Sequence, residues 1–340
     1  MSKPGYRFAL FATVLAVVVV LLGAYTRLTH AGLGCPDWPG CYGFIGVPMS
    51  EHKQTLAEAR FPEAPVEVAK GWYEMIHRYF AGALGLVILG LAVQALRRRG
   101  EVDQPLKLPL FLLGLVTLQA AFGMWTVTLK LWPQVVTAHL LGGFATLSLL
   151  FLLTLRLSGK AAALANLPAR LRSLAALGLL LVVGQIALGG WVSSNYAVLA
   201  CDTYPLCQNS WWPDMNLSKA FELWRPLGQD ASGQALPFQA LTAIHMVHRW
   251  HAVVPALLIL WVARSWMTMG LRRQGWLLIG VLFLQFVTGI SNAVLGWPML
   301  AALMHTGSAA VLLVLLTWVL ASTQPRKAER IAATFDRNML

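Results

Sequence analysis

The sequence predicts an all-α membrane protein in which eight transmembrane helices form two parallel, pseudo-repeated four-helix bundles. Three observations predict it. The 340 residues are 57% hydrophobic and 12% charged with a mean hydropathy of +0.63, far from the balance of a soluble domain. Eight apolar runs are long enough to cross about 30 Å of hydrocarbon at about 1.5 Å per residue. The chain also aligns on itself, half against half.

The apolar runs lie at roughly 8–28, 72–96, 108–129, 134–156, 172–193, 241–264, 275–296 and 300–321. The net charge of +12 is sorted by the loops between them, so it is no nucleic-acid patch. Residues 1–7, 97–107, 156–172, 264–273 and 322–340 hold 17 of the 26 Lys and Arg but 4 of the 14 acids. This asymmetry places both termini in the cytoplasm and the two long loops, 29–71 and 194–240, outside. Those loops contain all four cysteines, Cys35, Cys41, Cys201 and Cys207, in a compartment that permits disulfides. No Arg-rich, Ser-rich transit peptide precedes the first run, which favours a bacterial inner membrane with periplasmic cysteine loops. Trp211-Trp212-Pro213 reads as an aromatic anchor at the interface.

An offset of 166 brings Gly23 onto Gly189, Cys35 onto Cys201, Pro39 onto Pro205, Cys41 onto Cys207, Gln119 onto Gln285, Gly123 onto Gly289 and His139 onto His305. Trp132-Pro133 meets Trp297-Pro298 with a slip of one, and His77-Arg78 meets His248-Arg249 at an offset of 171, after an insertion in the second outer loop. Four spans per half is an even number, so the repeats are parallel about an axis normal to the bilayer. The expected units are an N-terminal bundle at 1–157, a cytoplasmic linker at 158–171, a C-terminal bundle at 172–325 and a cytoplasmic tail at 326–340.

The repeat selects four of the eight histidines: His77 and His139 in the first half, His248 and His305 in the second. Each lies near the outer end of its span, so all four sit at one level. Zinc wants three or four ligands, whereas one imidazole pair per bundle is what axial ligation of a haem iron requires. Gly82 and Gly85, Gly142 and Gly143, and Gly307 follow these histidines and leave room for a flat macrocycle. Arg78 and Arg249, each next to a ligand, are candidates for binding haem propionates. His245 and His251 flank the direction of His248 by about 60° at about 100° per residue, so they serve behind the ligand or at an interface. Symmetry fails at Glu74, whose counterpart is His245, and at Arg27, whose counterpart is Ser193. A carboxylate one turn from a haem ligand is a proton-handling group, which makes the first half the candidate reaction site.

Cys35-Pro36-Asp37-Trp38-Pro39-Gly40-Cys41 after Thr26-Arg27-Leu28-Thr29, the run Glu74-Met75-Ile76-His77-Arg78, and His139, His248-Arg249 and His305 together resemble the haem A synthase family, which has bacterial and mitochondrial members. The resemblance covers essentially all eight spans. It implies oxidation of the C8 methyl of haem O to the formyl of haem A in two successive oxidations, for terminal oxidases. It implies haem O as substrate between His77 and His139, with Arg78 and Arg27 beside it and Glu74 as the essential carboxylate. It further implies a haem b cofactor on His248 and His305, near Arg249, and haem O synthase and oxidase assembly factors as partners within the membrane lipid. In similar enzymes the first-loop cysteines form a disulfide, and the five-residue spacing with Pro39 or Pro205 inside fits a small covalent loop in both halves. A redox relay through Cys35 and Cys41 is the other reading. Two rival functions stand beside the synthase: a dihaem b-type electron-transfer cytochrome acting as a quinol oxidoreductase, and a non-enzymatic haem carrier or assembly factor.

Overall fold

The computed structural model describes residues 2–101, 104–159 and 169–322. Among them lie ten α-helices: α1 Tyr6–Leu28, α2 Glu51–Arg60, α3 Val68–Arg97, α4 Lys107–Thr128, α5 Pro133–Ser158, α6 Ala169–Ser194, α7 Leu217–Ala220, α8 Phe238–Thr268, α9 Arg272–Val294 and α10 Met299–Ser322. All but α2 and α7 are long and apolar enough to cross a membrane, and they coincide with the eight expected runs. The main departure is at the starts of α3, α6, α8 and α9, which lie about one turn outside their runs. The first turns of α3, α8 and α9 carry Lys70, Gln239 and Arg273, polar residues that end an apolar run without ending a helix. Of the expected linker, residues 160–168 lie outside the described residues, as does the tail at 326–340.

In the first half α1 packs against α3 and α5, and α4 against α3 and α5. Shifted by one repeat, α6 packs against α8 and α10, and α9 against α8 and α10. Between the halves α5 meets α6, α1 meets α10, and α5 meets α10. Replacing α1 by α6 and α5 by α10 maps this set onto itself, consistent with parallel repeats about one axis. Close approach rests on small side chains, as membrane helices require: Ala9, Ala12 and Ala16 are buried on one stripe of α1. There Thr13 Oγ1 meets Thr154 Oγ1 of α5 at 2.9 Å.

The outer loops are ordered lids. Sequence alone gave no helix within 29–71, yet α2 forms there, capped by Ser50 Oγ accepting from Lys53 N, with Glu51 in its first turn and Arg60 in its last. Asp37 ties the first lid by accepting from Tyr42 N at 2.6 Å and Gly43 N at 2.7 Å, while buried Tyr42 donates its hydroxyl to Pro65 O at 2.9 Å. The second lid hangs on Arg225, which is 1% exposed, donates to Asn195 Oδ1 at 2.6 Å and stacks over Trp191 at the end of α6. Asp230 below it is held under the usual carboxylate range by the Ser232 hydroxyl and the Lys219 ammonium.

Candidate functional site

Beneath both lids lies one continuous cavity of about 1350 Å³, larger than the roughly 300–1,000 Å³ of an ordinary small-molecule pocket. All four repeat-selected histidines line it, His77 from α3, His139 from α5, His248 from α8 and His305 from α10. Each imidazole leans on a glycine of a neighbouring helix. A Cβ at Gly23 would fall 2.9 Å from His77 Cε1, at Gly123 3.5 Å from His139 Cε1, at Gly189 3.2 Å from His248 Cε1 and at Gly289 3.1 Å from His305 Cε1. These glycines already align in the repeat, and that alignment is the signal for a role that sequence reading left unassigned. They fix ring position by leaving room for one ring and no side chain.

The small residues expected around the macrocycle divide. Gly82, Gly85 and Gly143 line the cavity. Gly142 instead seats the side chain of Gln119, and Gly307 packs toward Leu21 of α1 across the interface between halves, where an added Cβ would fall 3.5 Å from Leu21 Cδ2. Both therefore serve helix packing and not the cavity wall.

Behind the histidines the halves differ. His305 Nδ1 lies 3.0 Å from Thr288 Oγ1, whose own hydrogen goes to Leu284 O at 2.7 Å. The imidazole N–H is then the donor, which keeps Nε2 free as a ligand. Gln185 Nε2 lies against the His248 ring, 3.1 Å from Nδ1 and 3.3 Å from Nε2, and Gln185 Oε1 is in turn held by His251 Nδ1 at 2.7 Å. His251 thus reaches His248 only through Gln185. His245 does not: its Nδ1 lies 3.0 Å from Ala197 O, where it braces the turn leading into the second lid. In the first half the repeat replaces Gln185 by Val19 and Thr288 by Phe122, and the Nδ1 atoms of His77 and His139 are buried without a hydrogen-bond partner.

At the outer rim Glu74 is 4% exposed and lines the cavity. One carboxylate oxygen pairs with Arg78, and the other accepts from Cys35 N at 2.9 Å. Arg78 also donates to Asp37 O at 2.9 Å and Gly40 O at 2.5 Å, and Arg249 to Cys201 O at 3.1 Å and Thr203 O at 2.9 Å. Both arginines, expected to face propionates, spend most of their donors clamping a lid, although both still border the cavity. Arg27 also borders it but reaches across the halves, donating to Ser193 O with its guanidinium 4.0 Å above the Tyr196 ring. No element of secondary structure dictates these contacts, so periodicity could not reveal them.

The clamped segments are disulfide loops, Cys35–Cys41 and Cys201–Cys207, with Cα–Cα distances of 4.7 and 4.8 Å, and all four sulfurs are buried. A short antiparallel bridge closes each, Cys41 with Phe44 and Cys207 with Ser210. Each half therefore has the same parts: two histidines on the cavity wall, a glycine behind each ring, and a disulfide lid held by the arginine that follows the first histidine.

Residues 6–317 match the family model COX15-CtaA, described as cytochrome oxidase assembly protein. A protein of Shewanella oneidensis named heme A synthase is 45% identical over 310 residues, 90% of this chain and 92% of its own. The heme A synthases of Rhizorhabdus wittichii and Chelativorans are 28% and 30% identical over 328 and 316 residues, covering 91% and 87% of this chain and 91% and 84% of their own. The matched region contains both histidine pairs, both lids and all eight spans nearly in full, and on that extent the chain belongs to the COX15-CtaA family of cytochrome oxidase assembly proteins.

Proposed function

We propose that the protein is a haem A synthase, an oxidoreductase of haem A biosynthesis that converts the C8 methyl of haem O to a formyl group in two successive oxidations through an alcohol. The observation that carries this reading is a cavity with two histidine pairs that are alike in position and unlike in support. His248 and His305 would hold a resident haem b, and His77 and His139 would hold the substrate. The residues present fit these groups. Facing imidazoles sit at equivalent places in both halves, and among the described residues no three of His, Cys, Asp or Glu gather as a conventional metal centre. Thr288 and the Gln185–His251 pair restrain the second-site rings, as suits a permanent ligand. In the first site both Nδ1 atoms lack a side-chain partner, and His77 has only the Val19 backbone beside it, as suits a ligand that must arrive and leave.

Each of the two oxidations removes two electrons and two protons, with water supplying the oxygen atom, and haem b when bound would relay the electrons one at a time to an acceptor outside this chain. The chain's own residues do the rest. The lids shield the cavity from water, Arg78 and Arg249 hold the lids down, and Glu74 is the carboxylate available to take the protons that oxidation of a methyl group releases. Residues 1–157 form the substrate unit and 172–325 the haem b unit. The enzyme lies in a bacterial inner membrane with cytoplasmic termini and periplasmic lids, a placement supported by the sorting of basic residues among its loops. Haem O synthase would supply its substrate, and oxidase assembly factors would take its product.

Co-expression with a source of haem O, followed by chromatography of the extracted haems, tests the activity. Haem A and hydroxylated haem O are the expected products. Haem B alone would identify an electron-transfer cytochrome, and unchanged haem O a carrier. A second test addresses the support behind the ligands. Thr288→Val keeps the side-chain shape and leaves His305 Nδ1 bare, as in the first site. Haem b affinity is expected to fall by about 10- to 100-fold with a shifted reduction midpoint. Unchanged affinity and midpoint in a redox titration would remove the distinction between the two sites.

A further inference from the structure

One stripe of α9 faces His305. Gln285 donates to His305 O at 3.1 Å, Thr288 bonds the ring, Gly289 makes room for it, and Asn292 follows one turn further out, about 6 Å from Thr288 at about 1.5 Å per residue. Asn292 lines the cavity, is 8% exposed, and its Oδ1 is buried without a hydrogen-bond partner. Among the described residues its amide nitrogen makes no hydrogen bond to the protein either. Buried amides are almost always paired, so an idle one on a cavity wall points to a bound partner. The first half has no equivalent. Thr126 stands at the repeat-related position and also lines the cavity, but its hydroxyl donates to Gly123 O at 2.7 Å, within its own helix. Gln285 Oε1 is also buried and unpartnered, yet Gln285 repeats Gln119 and its nitrogen is fixed on His305 O. Asn292 is both unshared and free to turn.

We infer that Asn292 binds a propionate of the haem b proposed for this site, with the amide turned so that Nδ2 donates to the carboxylate. The inference deepens the proposed function and rests on it. A carboxamide exchanges donor and acceptor by a half turn about its last bond, and no hydrogen bond to the protein opposes that turn at Asn292. An ionised carboxylate entering a cavity needs donors in place of water, and hydrogen bonds to it are stronger than neutral ones. Arg249, the cation of this rim, gives donors to Thr203 O, Leu206 O and Cys201 O, so it does not meet that need alone. Haem b carries no other oxygen atoms, which leaves its propionates as the groups an amide can recognise. Asn292 lies outward of the level of His305, toward the rim where a carboxylate stays nearest to water.

The test caps the propionates chemically. Full-length protein carrying His77→Ala, which disables the first site, is prepared free of haem, and haem b or its dimethyl ester is titrated into the second site. Asn292→Thr installs the first half's residue, whose hydroxyl should turn to the carbonyl of Gly289 as that of Thr126 does to Gly123. The expected result is a loss of haem b affinity of about 10- to 100-fold, as for a hydrogen bond to a charged group, with the dimethyl ester bound within about twofold of the parent protein. Asn292→Asp keeps the shape and sets a second carboxylate against the propionate, so it should weaken haem b more than Asn292→Thr does and again spare the ester. A loss shared equally by haem b and its ester would overturn the inference, because the amide would then serve only packing. Undiminished haem b binding would also overturn it and leave an ordered water as the partner of the amide. If His248→Ala in the same background binds haem b as tightly as its parent, the second pair is no haem site, and the proposed function falls together with the inference.

Discussion

Replacing His248 or His305 with Ala is expected to remove the resident haem b, seen as loss of the low-spin absorption spectrum and of the haem-to-protein ratio that the wild type carries. On the proposed reading each ring is one of the two side chains that would hold the haem, and among the described residues no other histidine is placed to replace it. His245 is turned to Ala197 O, and His251 reaches the site only through Gln185. Ala also leaves a void against Gly189 or Gly289, where no side chain is present to move in. The loss should therefore be nearly complete. His77→Ala and His139→Ala provide the contrast: they should keep the resident spectrum and lose haem O binding at the first site. Retention of full haem b in both His248→Ala and His305→Ala would end the assignment of the second pair.

Much of this was legible in the sequence, because the two strongest signals are one-dimensional. Hydropathy located the eight spans, since a membrane helix must be apolar along nearly its whole length. Self-alignment chose four histidines from eight, while the pairing of the cysteines within each loop rested on their spacing and on the resemblance to haem A synthases. Hydropathy is blind where a helix leaves the hydrocarbon, which is why the first turns of α3 and α8 and the whole of α2 were not foreseen. What the arginines do was legible only in part. Arg78 and Arg249 stand next to ligands, as expected, but their donors meet carbonyls 38 to 48 residues away in the chain, a choice made by tertiary packing. The support behind the second pair was hidden for a different reason. A search for what the halves share passes over Thr288 and Gln185, which matter because the first half has Phe122 and Val19 instead. In a duplicated chain, shared positions identify the common machinery and unshared positions identify the division of labour.

Glu74 is the sharpest unshared position, and Glu74→Gln is expected to abolish haem A formation while the resident haem b stays. Gln preserves the size of the side chain and can still accept from Cys35 N, so the lid keeps that tether. It removes the negative charge, and with it the ion pair to Arg78. A buried pair broken from one side typically costs about 3–5 kcal/mol, but Arg78 keeps Asp37 O and Gly40 O as partners, which should hold the loss toward the lower end. A purely structural Glu74 therefore predicts a lowered melting temperature and a loosened first lid, with turnover reduced in proportion to the folded, substrate-loaded fraction. A carboxylate that takes the protons released at the methyl carbon, or stabilises positive charge developing there, predicts something different. Haem O would still titrate into the first site near its wild-type affinity, while turnover falls by about 10² to 10⁴. The two accounts separate when haem O binding, melting and haem A yield are measured on one preparation. A Glu74→Gln protein that binds haem O and converts it at a near-normal rate would exclude the proton-handling role, and Arg27, whose counterpart is Ser193, would become the next unshared charge at the cavity wall to test.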